Sequence, residues 1–438
     1  MSIYDEIKSP LDNNETLYER RIDYYNEREN RYAEKILEIA MQELSEAKTR
    51  EMFSEKTRYI NSPVNVDGYI IYVNTITQNG KMFPYILGYP QDMKENSEII
   101  VDTLNTRNLH NTKNRVDVFI SGADMIGSYI RTGVDAPFLY VFCPREEFLN
   151  EPYYQQLSRE CFTSSDLKYS RCDLLVKESI QDAKKKLVDL SGKKVSNKVV
   201  LEGYSTSGVF AQRFAIIHPE MISKVIIGGA TGSIPIPIED IEYPLGIKDY
   251  KYLFGKEFDE ESYRNIEFAY YVGEFEAKEE SKRKDEKGNT IKVPMHDMSY
   301  LAKSIPEDLG AQYRNMFGTT LNERFENAVN WYKKSGYNII SKIYKEASHT
   351  SLMDKKYKYF SNYFQDLLMF YRNGINGEGF KKDESSADKL MMFTKDGKLG
   401  LDDCMGDSEV RSFMVEEATS FVKKCLEEPL VDDNNKQI

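Results

Sequence analysis

The chain has 438 residues, 40% of them hydrophobic, enough to bury the core of one large α/β domain with appendages or of two domains. Its formal net charge of -12 argues against a nucleic-acid partner, because phosphate binding needs a basic surface. The first residues lack a basic segment followed by an apolar one, no apolar run approaches the ~18 residues of a membrane span, and the five cysteines are scattered without a CxxC pattern. Together these predict a cytoplasmic protein with no membrane span and no metal.

Residues 1–62 are mostly charged, with Leu17, Tyr24, Tyr25, Ile36, Ile39, Ala40 and Leu44 at helical spacing. They predict a helical N-terminal extension, packed on the main domain or serving as a lid or homodimerisation arm. Asp67–Val73 and Phe83–Leu87 read as strands joined at Gln78-Asn79-Gly80-Lys81, since Asn-Gly favours a tight hairpin turn. A strand over Glu98–Asn105, a helix over Ala123–Arg131 and a central strand over Phe138–Cys143 follow. Ser164-Ser165-Asp166 is expected to cap a long amphipathic helix through Leu190, with Gly192 as its stop.

Val199, Val200 and Leu201 form a short apolar run that reads as a buried parallel strand. Phe210, Phe214 and Ile217 then return at helical spacing, and Pro219 ends that helix. Between them, Gly203-Tyr204-Ser205-Thr206-Ser207-Gly208 is a small-x-Ser-x-small turn, with no room for large side chains at Gly203 and Ser207. It presents Ser205 at a helix N-terminus, where free N–H groups and the helix dipole favour a developing oxyanion. The plainer reading of the same residues is a strand-to-helix turn with a serine N-cap.

Lys224–Gly228 is the next strand, and 231–265 is irregular, a cap-like insertion whose Tyr243, Tyr250 and Tyr252 line a pocket or pack the segment down. Ile266–Val272 is a strand closed by Gly273. The charged run from Lys278 to Lys292 reads as a solvated loop, Asn322–Lys334 as a helix and Tyr337–Tyr344 as the last strand. Lys355–Arg372 reads as a helix with an aromatic stripe, Lys381–Asp407 as a loop and Val410–Leu426 as a closing helix. The organisation expected is a helical extension over 1–62, the main domain over 63–373 and a C-terminal loop and helix over 374–438. An antiparallel hairpin followed by alternating strands and helices implies a mostly parallel, doubly wound α/β sheet.

A serine hydroxyl needs a base, and the base an orienting acid. Of four histidines, His218 sits at a helix end, His110 in a polar loop and His296 near Asp297. His349, in Ala347-Ser348-His349-Thr350 after the last strand, is the leading base, because sites in parallel sheets collect at the carboxyl ends of strands. For the acid, Glu276 lies three residues past Gly273; Asp297 is its rival and Glu274 stands third. The oxyanion donors expected are the N–H of Thr206 and one from the loop after the Glu98 strand, where Asn105 comes first, with Thr106 beside it.

These residues resemble the α/β-hydrolase superfamily over roughly 67–372. Gly203–Gly208 looks like its nucleophile elbow, with Ser207 at the second glycine; Val272–Glu276 is similar to its strand-Gly-x-x-Asp turn, with Glu for Asp; Ala347–Thr350 looks like its final histidine loop. Segments such as Tyr243–Ile247 and Val293–Asp297 have the look of bacterial esterase-like members. The resemblance implies the α/β-hydrolase fold and a Ser-acid-His triad acting without a cofactor on a small-molecule ester or acyl substrate. Amides and peptides, acyl transfer on the same scaffold, and a non-catalytic binding protein are the alternatives.

Overall fold

The structure, a computed structural model, describes residues 64–66, 69–78, 81–103, 136–141, 143, 154–164, 170–276, 280–284, 290–294, 304–345, 347, 349, 370–371 and 374–376. The N-terminal helices, the helices expected over 123–131 and 410–426, most of 355–372, and His110 and His296 lie outside the described residues.

Eleven strands are described: β1 Val64–Val66, β2 Tyr69–Gln78, β3 Lys81–Pro90, β4 Ser97–Asp102, β5 Phe138–Val141, β6 Val195–Tyr204, β7 Ile222–Gly228, β8 Glu267–Gly273, β9 Glu280–Lys284, β10 Thr290–Pro294 and β11 Asn338–Tyr344. Nine form one sheet in the order β1-β2-β3-β5-β4-β6-β7-β8-β11. β1, β2 and β3 pair antiparallel, and β3 joins β5 antiparallel. From β5 onward every pairing is parallel. Gln78 pairs with Lys81 at the end of the β2–β3 ladder, where the sequence puts the hairpin. This is the mostly parallel sheet with an antiparallel N-terminal hairpin expected of the α/β-hydrolase fold.

Parallel strands are covered on both faces, which is why their sequences are apolar runs rather than alternating ones. On one face Val101, Leu139, Val199, Leu201, Val225 and Phe268 join the main core cluster. On the other, Ile100, Phe138, Val200, Ile226, Ala269 and Tyr271 are equally buried. The long helix between β5 and β6 spans Cys172–Ser191 and ends at Gly192, whose φ of 67 is the left-handed conformation that glycine adopts without a Cβ clash. Its start is a correction: Ser164 is extended, and the helix opens after Arg171. The cause is Asp173 at its first turn, buried and clamped by two Arg171 hydrogen bonds of 2.9 Å and by His218 at 2.9 Å. Against the cost of burial, those hydrogen bonds and the Arg171 charge hold the Asp173 carboxyl below its usual range. His218 therefore packs at the C-terminus of its helix, as its position there suggested.

The charged stretch 278–292 is a second correction. β9 and β10 pair antiparallel in register Thr290↔Lys284 through Pro294↔Glu280, as a separate two-stranded ribbon. Charge does not forbid a ribbon, because backbone N–H and C=O groups carry the ladder and the side chains need no buried face.

Segment 231–265 also holds more structure than its composition showed, with short helices at Tyr250–Phe254 and Glu260–Arg264. Asp259 caps the second, accepting from Ser262 N–H at 2.9 Å. Ile234, Ile236, Ile241, Tyr243, Leu245 and Tyr263 lie in the main core. Two further helices, Glu307–Phe317 and Leu321–Lys334, hold the segment down. Tyr313 donates to Ile234 O at 2.7 Å, Tyr332 to Pro235 O at 2.6 Å and Arg324 to Gly232 O at 2.8 Å. Of the three tyrosines, Tyr243 and Tyr250 are buried and bond the carbonyls of Leu157 and Ile217, whereas Tyr252 is exposed.

Candidate active site

β6 runs straight into the turn at Ser205, and the helix Thr206–Ile217 begins at the next residue. Ser205 sits at φ 58, ψ -120, a conformation that L-residues rarely adopt. Such backbone costs about 1–3 kcal/mol and persists only where the surroundings impose it. Here Ser205 N–H is held by Gly228 O at 2.9 Å. A Cβ on Gly203 would lie 2.5 Å from the Ser207 carbonyl oxygen, and one on Gly208 would lie 3.0 Å from Gly228 O, so the chain closes over itself at both glycines. Ser207 folds inward instead of crowding the turn: its Oγ accepts from Tyr204 N–H at 2.9 Å and donates to Tyr204 O at 3.1 Å. Thr206 opens the helix, so its N–H has no intrahelical acceptor.

The strain gives a test that needs no substrate. Ser205→Gly is expected to be more stable than Ser205→Ala by about 1 kcal/mol, because glycine takes positive φ freely and this outweighs its extra unfolded entropy. Urea melts of the two variants check it, and equal midpoints would mean that the turn is not strained.

The loops after β8 and β11 meet at the carboxyl edge of the sheet. Tyr344 pairs with Gly273 at the end of the ladder. Beyond it Glu274 N–H bonds Tyr344 O at 3.0 Å and Phe275 N–H bonds Ala347 O at 2.8 Å. This zipper brings together two side chains that are far apart in sequence. Glu276 is fully buried; its Oε1 accepts from Gly273 N–H at 2.9 Å, and its Oε2 lies 3.3 Å from His349 Nδ1. The His349 ring lies against Gly229, where a Cβ would be 2.6 Å from Cε1 and 2.9 Å from Nδ1. Gly229 follows the residue whose carbonyl holds Ser205 N–H, so the His349–Glu276 pair and the Ser205 turn lie at the same carboxyl edge of the sheet. Asp297 and Asn105 lie outside the described residues, and Glu274 contributes its backbone to the zipper.

Two buried acids next to this edge were not singled out from sequence. Asp102 ends β4 and Glu202 lies on β6, one step past the paired Val101 and Leu201. Burial raises the Asp102 carboxyl to about 7, against lowering hydrogen bonds from Ser207, Glu202 and the Thr103 backbone. Burial, then the charge of Asp102, holds Glu202 well above the carboxylate range. The signal was an acid ending each of two apolar runs, Ile99-Ile-Val-Asp102 and Val199-Val-Leu-Glu202. It becomes legible only when β4 and β6 are known to be neighbours. The pair bridges the elbow, through Ser207, to the start of the loop expected to supply the second oxyanion donor.

A carboxyl with a raised folded pKa binds more protons folded than unfolded. Its stabilising contribution is therefore present below its unfolded value near 4 and is lost as pH rises through about 7. Glu202 adds to that fall, because burial raises its carboxyl too, and Glu202→Gln, which keeps a hydrogen bond to Asp102 but removes this second titrating group, should flatten it. We expect the variant to gain more than about 1 kcal/mol relative to the unmutated chain between pH 5 and pH 8. Urea denaturation across that range checks it, and parallel stability curves would contradict it.

Among the described residues, no group of three His, Cys, Asp or Glu side chains could hold a metal ion, and no helix is long and apolar enough to cross a membrane. Cys143, Cys161 and Cys172 are buried and in no disulfide.

No protein-family model matches the sequence, and no curated protein matches it. Among solved structures, the chain is similar to the LpqC poly(3-hydroxybutyrate) depolymerase from Bordetella parapertussis, at 12% identity and a TM-score of 0.42, over 72% of this chain and 90% of that one. It is similar to an S-formylglutathione hydrolase from Agrobacterium tumefaciens, at 13% identity and a TM-score of 0.39, over 73% of this chain and 100% of that one. The siderophore hydrolase EstA from Aspergillus nidulans gives 12% identity and a TM-score of 0.35, over 68% and 95%. At these values none of them speaks to substrate or catalytic residues.

Proposed function

We propose that the chain is a serine hydrolase of carboxylic esters. The observation that carries this reading is the imidazole of His349, with a buried carboxylate on Nδ1, seated against Gly229 beside a strained serine at a strand-to-helix turn. A serine at positive φ is a cost without return unless the hydroxyl must be presented, and a buried Glu-His pair is the arrangement that turns a histidine into a base.

In this reading Ser205 Oγ attacks the acyl carbon, and its proton passes to His349 Nε2. Glu276 fixes the tautomer with Nδ1–H and stabilises the imidazolium. The tetrahedral oxyanion is met by Thr206 N–H and by an N–H of the loop after β4, for which Asn105 is the candidate. Collapse breaks the ester C–O bond, and the departing alcohol takes the proton from Nε2. Water then attacks the acyl-serine with His349 as base, releasing the acid and restoring Ser205.

The experiment is hydrolysis of a series of p-nitrophenyl esters, measured with and without an added alcohol. Hydrolysis by the unmutated chain that His349→Ala loses supports the reading. Exclusive formation of a new ester would make the protein an acyltransferase, and no turnover of any ester would favour a binding protein on this scaffold.

A further inference from the structure

Tyr204 is neither nucleophile, base nor acid in the reading above, yet it contacts the base directly. Its hydroxyl donates to the backbone carbonyl of His349 at 2.7 Å. Its ring lies over the imidazole, with centroids 4.9 Å apart and planes 31° apart. Tyr271 stacks on Tyr204 at 6.0 Å and 27°, and Tyr344 closes on Tyr271 edge-on at 5.9 Å and 89°. The sequence makes room for this row of rings. A Cβ on Gly228 would lie 2.0 Å from the Tyr271 ring, and one on Gly229 would lie 2.7 Å from Tyr204 Cζ. Tyr204 is itself held at its backbone by Ser207 Oγ and is only 6% exposed.

His349 needs such a hold. It follows the end of β11 in a short loop, and its ring nitrogen reaches Glu276 at 3.3 Å, a long contact that leaves ring tilt and depth loosely set. A ring against the imidazole face and a hydrogen bond on the same residue's carbonyl remove that freedom.

We propose that Tyr204 is the positioning residue of the base: hydroxyl and ring together set the depth and plane of His349, so the residue before the nucleophile also places its proton acceptor. This rests on the reading of Ser205 and His349 as nucleophile and base.

The test uses Tyr204→Phe, which removes one oxygen, Tyr204→Leu, which removes the ring, and Tyr252→Phe on the exposed tyrosine as control. For p-nitrophenyl butyrate, Tyr204→Phe should lower kcat about fivefold, as one lost hydrogen bond would. Tyr204→Leu should lower it about a hundredfold, the cost of a small misplacement of a catalytic group. KM should stay unchanged in both, because the ring places the base and does not hold the substrate. The four histidines also allow a reading that needs no turnover. In nitrogen-15 histidine NMR, Tyr204→Phe should shift the His349 ring signals, assigned by His349→Gln, and leave the other three unmoved. If Tyr204→Leu does not fold, Tyr204→Phe carries the test. Unchanged kcat with unshifted His349 signals overturns the proposal. If the unmutated chain hydrolyses no ester, the serine-hydrolase reading fails, and the NMR shift alone then decides whether Tyr204 sets the imidazole.

Discussion

Glu276→Gln is expected to lower kcat/KM for ester hydrolysis about 10³–10⁴-fold with little change in stability. The amide has the shape of the carboxylate and can still accept from Gly273 N–H through one oxygen. Its NH₂ then faces His349 Nδ1, which must become an acceptor, so the proton moves to Nε2 and the base is blocked on the side of the serine. That inversion of tautomer is the known cost of an acid-to-amide change in such triads. Glu276→Asp separates geometry from charge. It keeps the carboxylate but is one methylene too short to bond Gly273 N–H and reach His349 together. A smaller loss, about 10–100-fold, is expected there. Steady-state kinetics on one activated ester checks both. A Glu276→Gln variant within tenfold of the unmutated chain would mean that another carboxylate, with Asp297 the first to examine, does the work.

Ser205→Ala and His349→Ala should each remove about 10⁴–10⁶ of the rate, and the double variant should be no slower than either single one. Serine and imidazole act as a unit: without the base the hydroxyl is a poor nucleophile at neutral pH, and without the hydroxyl the base has no proton to take. Losses that add on a logarithmic scale would instead assign the two residues to separate steps. Residual turnover from the oxyanion donors and binding alone is expected in all three variants.

Local signals carried most of what the sequence told. The pairing of β2 with β3, the apolar strands and the Gly203–Gly208 turn are written in residues a few positions apart, and each appears where its pattern put it. Glu276 beside His349 was reachable by one rule, that sites gather at the carboxyl ends of parallel strands, together with Gly273 as the strand's stop. What was not legible depends on which strands are neighbours. Asp102 and Glu202 meet only because β4 and β6 pair across a hundred residues of chain. Tyr204 read as the variable position of a motif until the β11 loop laid His349 against it. The start of the helix at Cys172 was hidden for a related reason: buried contacts of Asp173 with Arg171 and His218 outweighed a plausible serine cap at Ser164. The ribbon at 280–294 was missed because its pairing lies in the backbone, and its charges described a surface equally well as a loop.

The central claim is that Ser205 is a nucleophile activated by His349, and covalent capture tests it most directly. The unmutated chain is to be treated with a fluorophosphonate probe and the labelled peptide located by mass spectrometry, beside Ser205→Ala and His349→Ala. The account predicts a single adduct on Ser205, absent from Ser205→Ala and formed far more slowly in His349→Ala. No labelling of the unmutated chain, or an adduct that persists in Ser205→Ala, would contradict it.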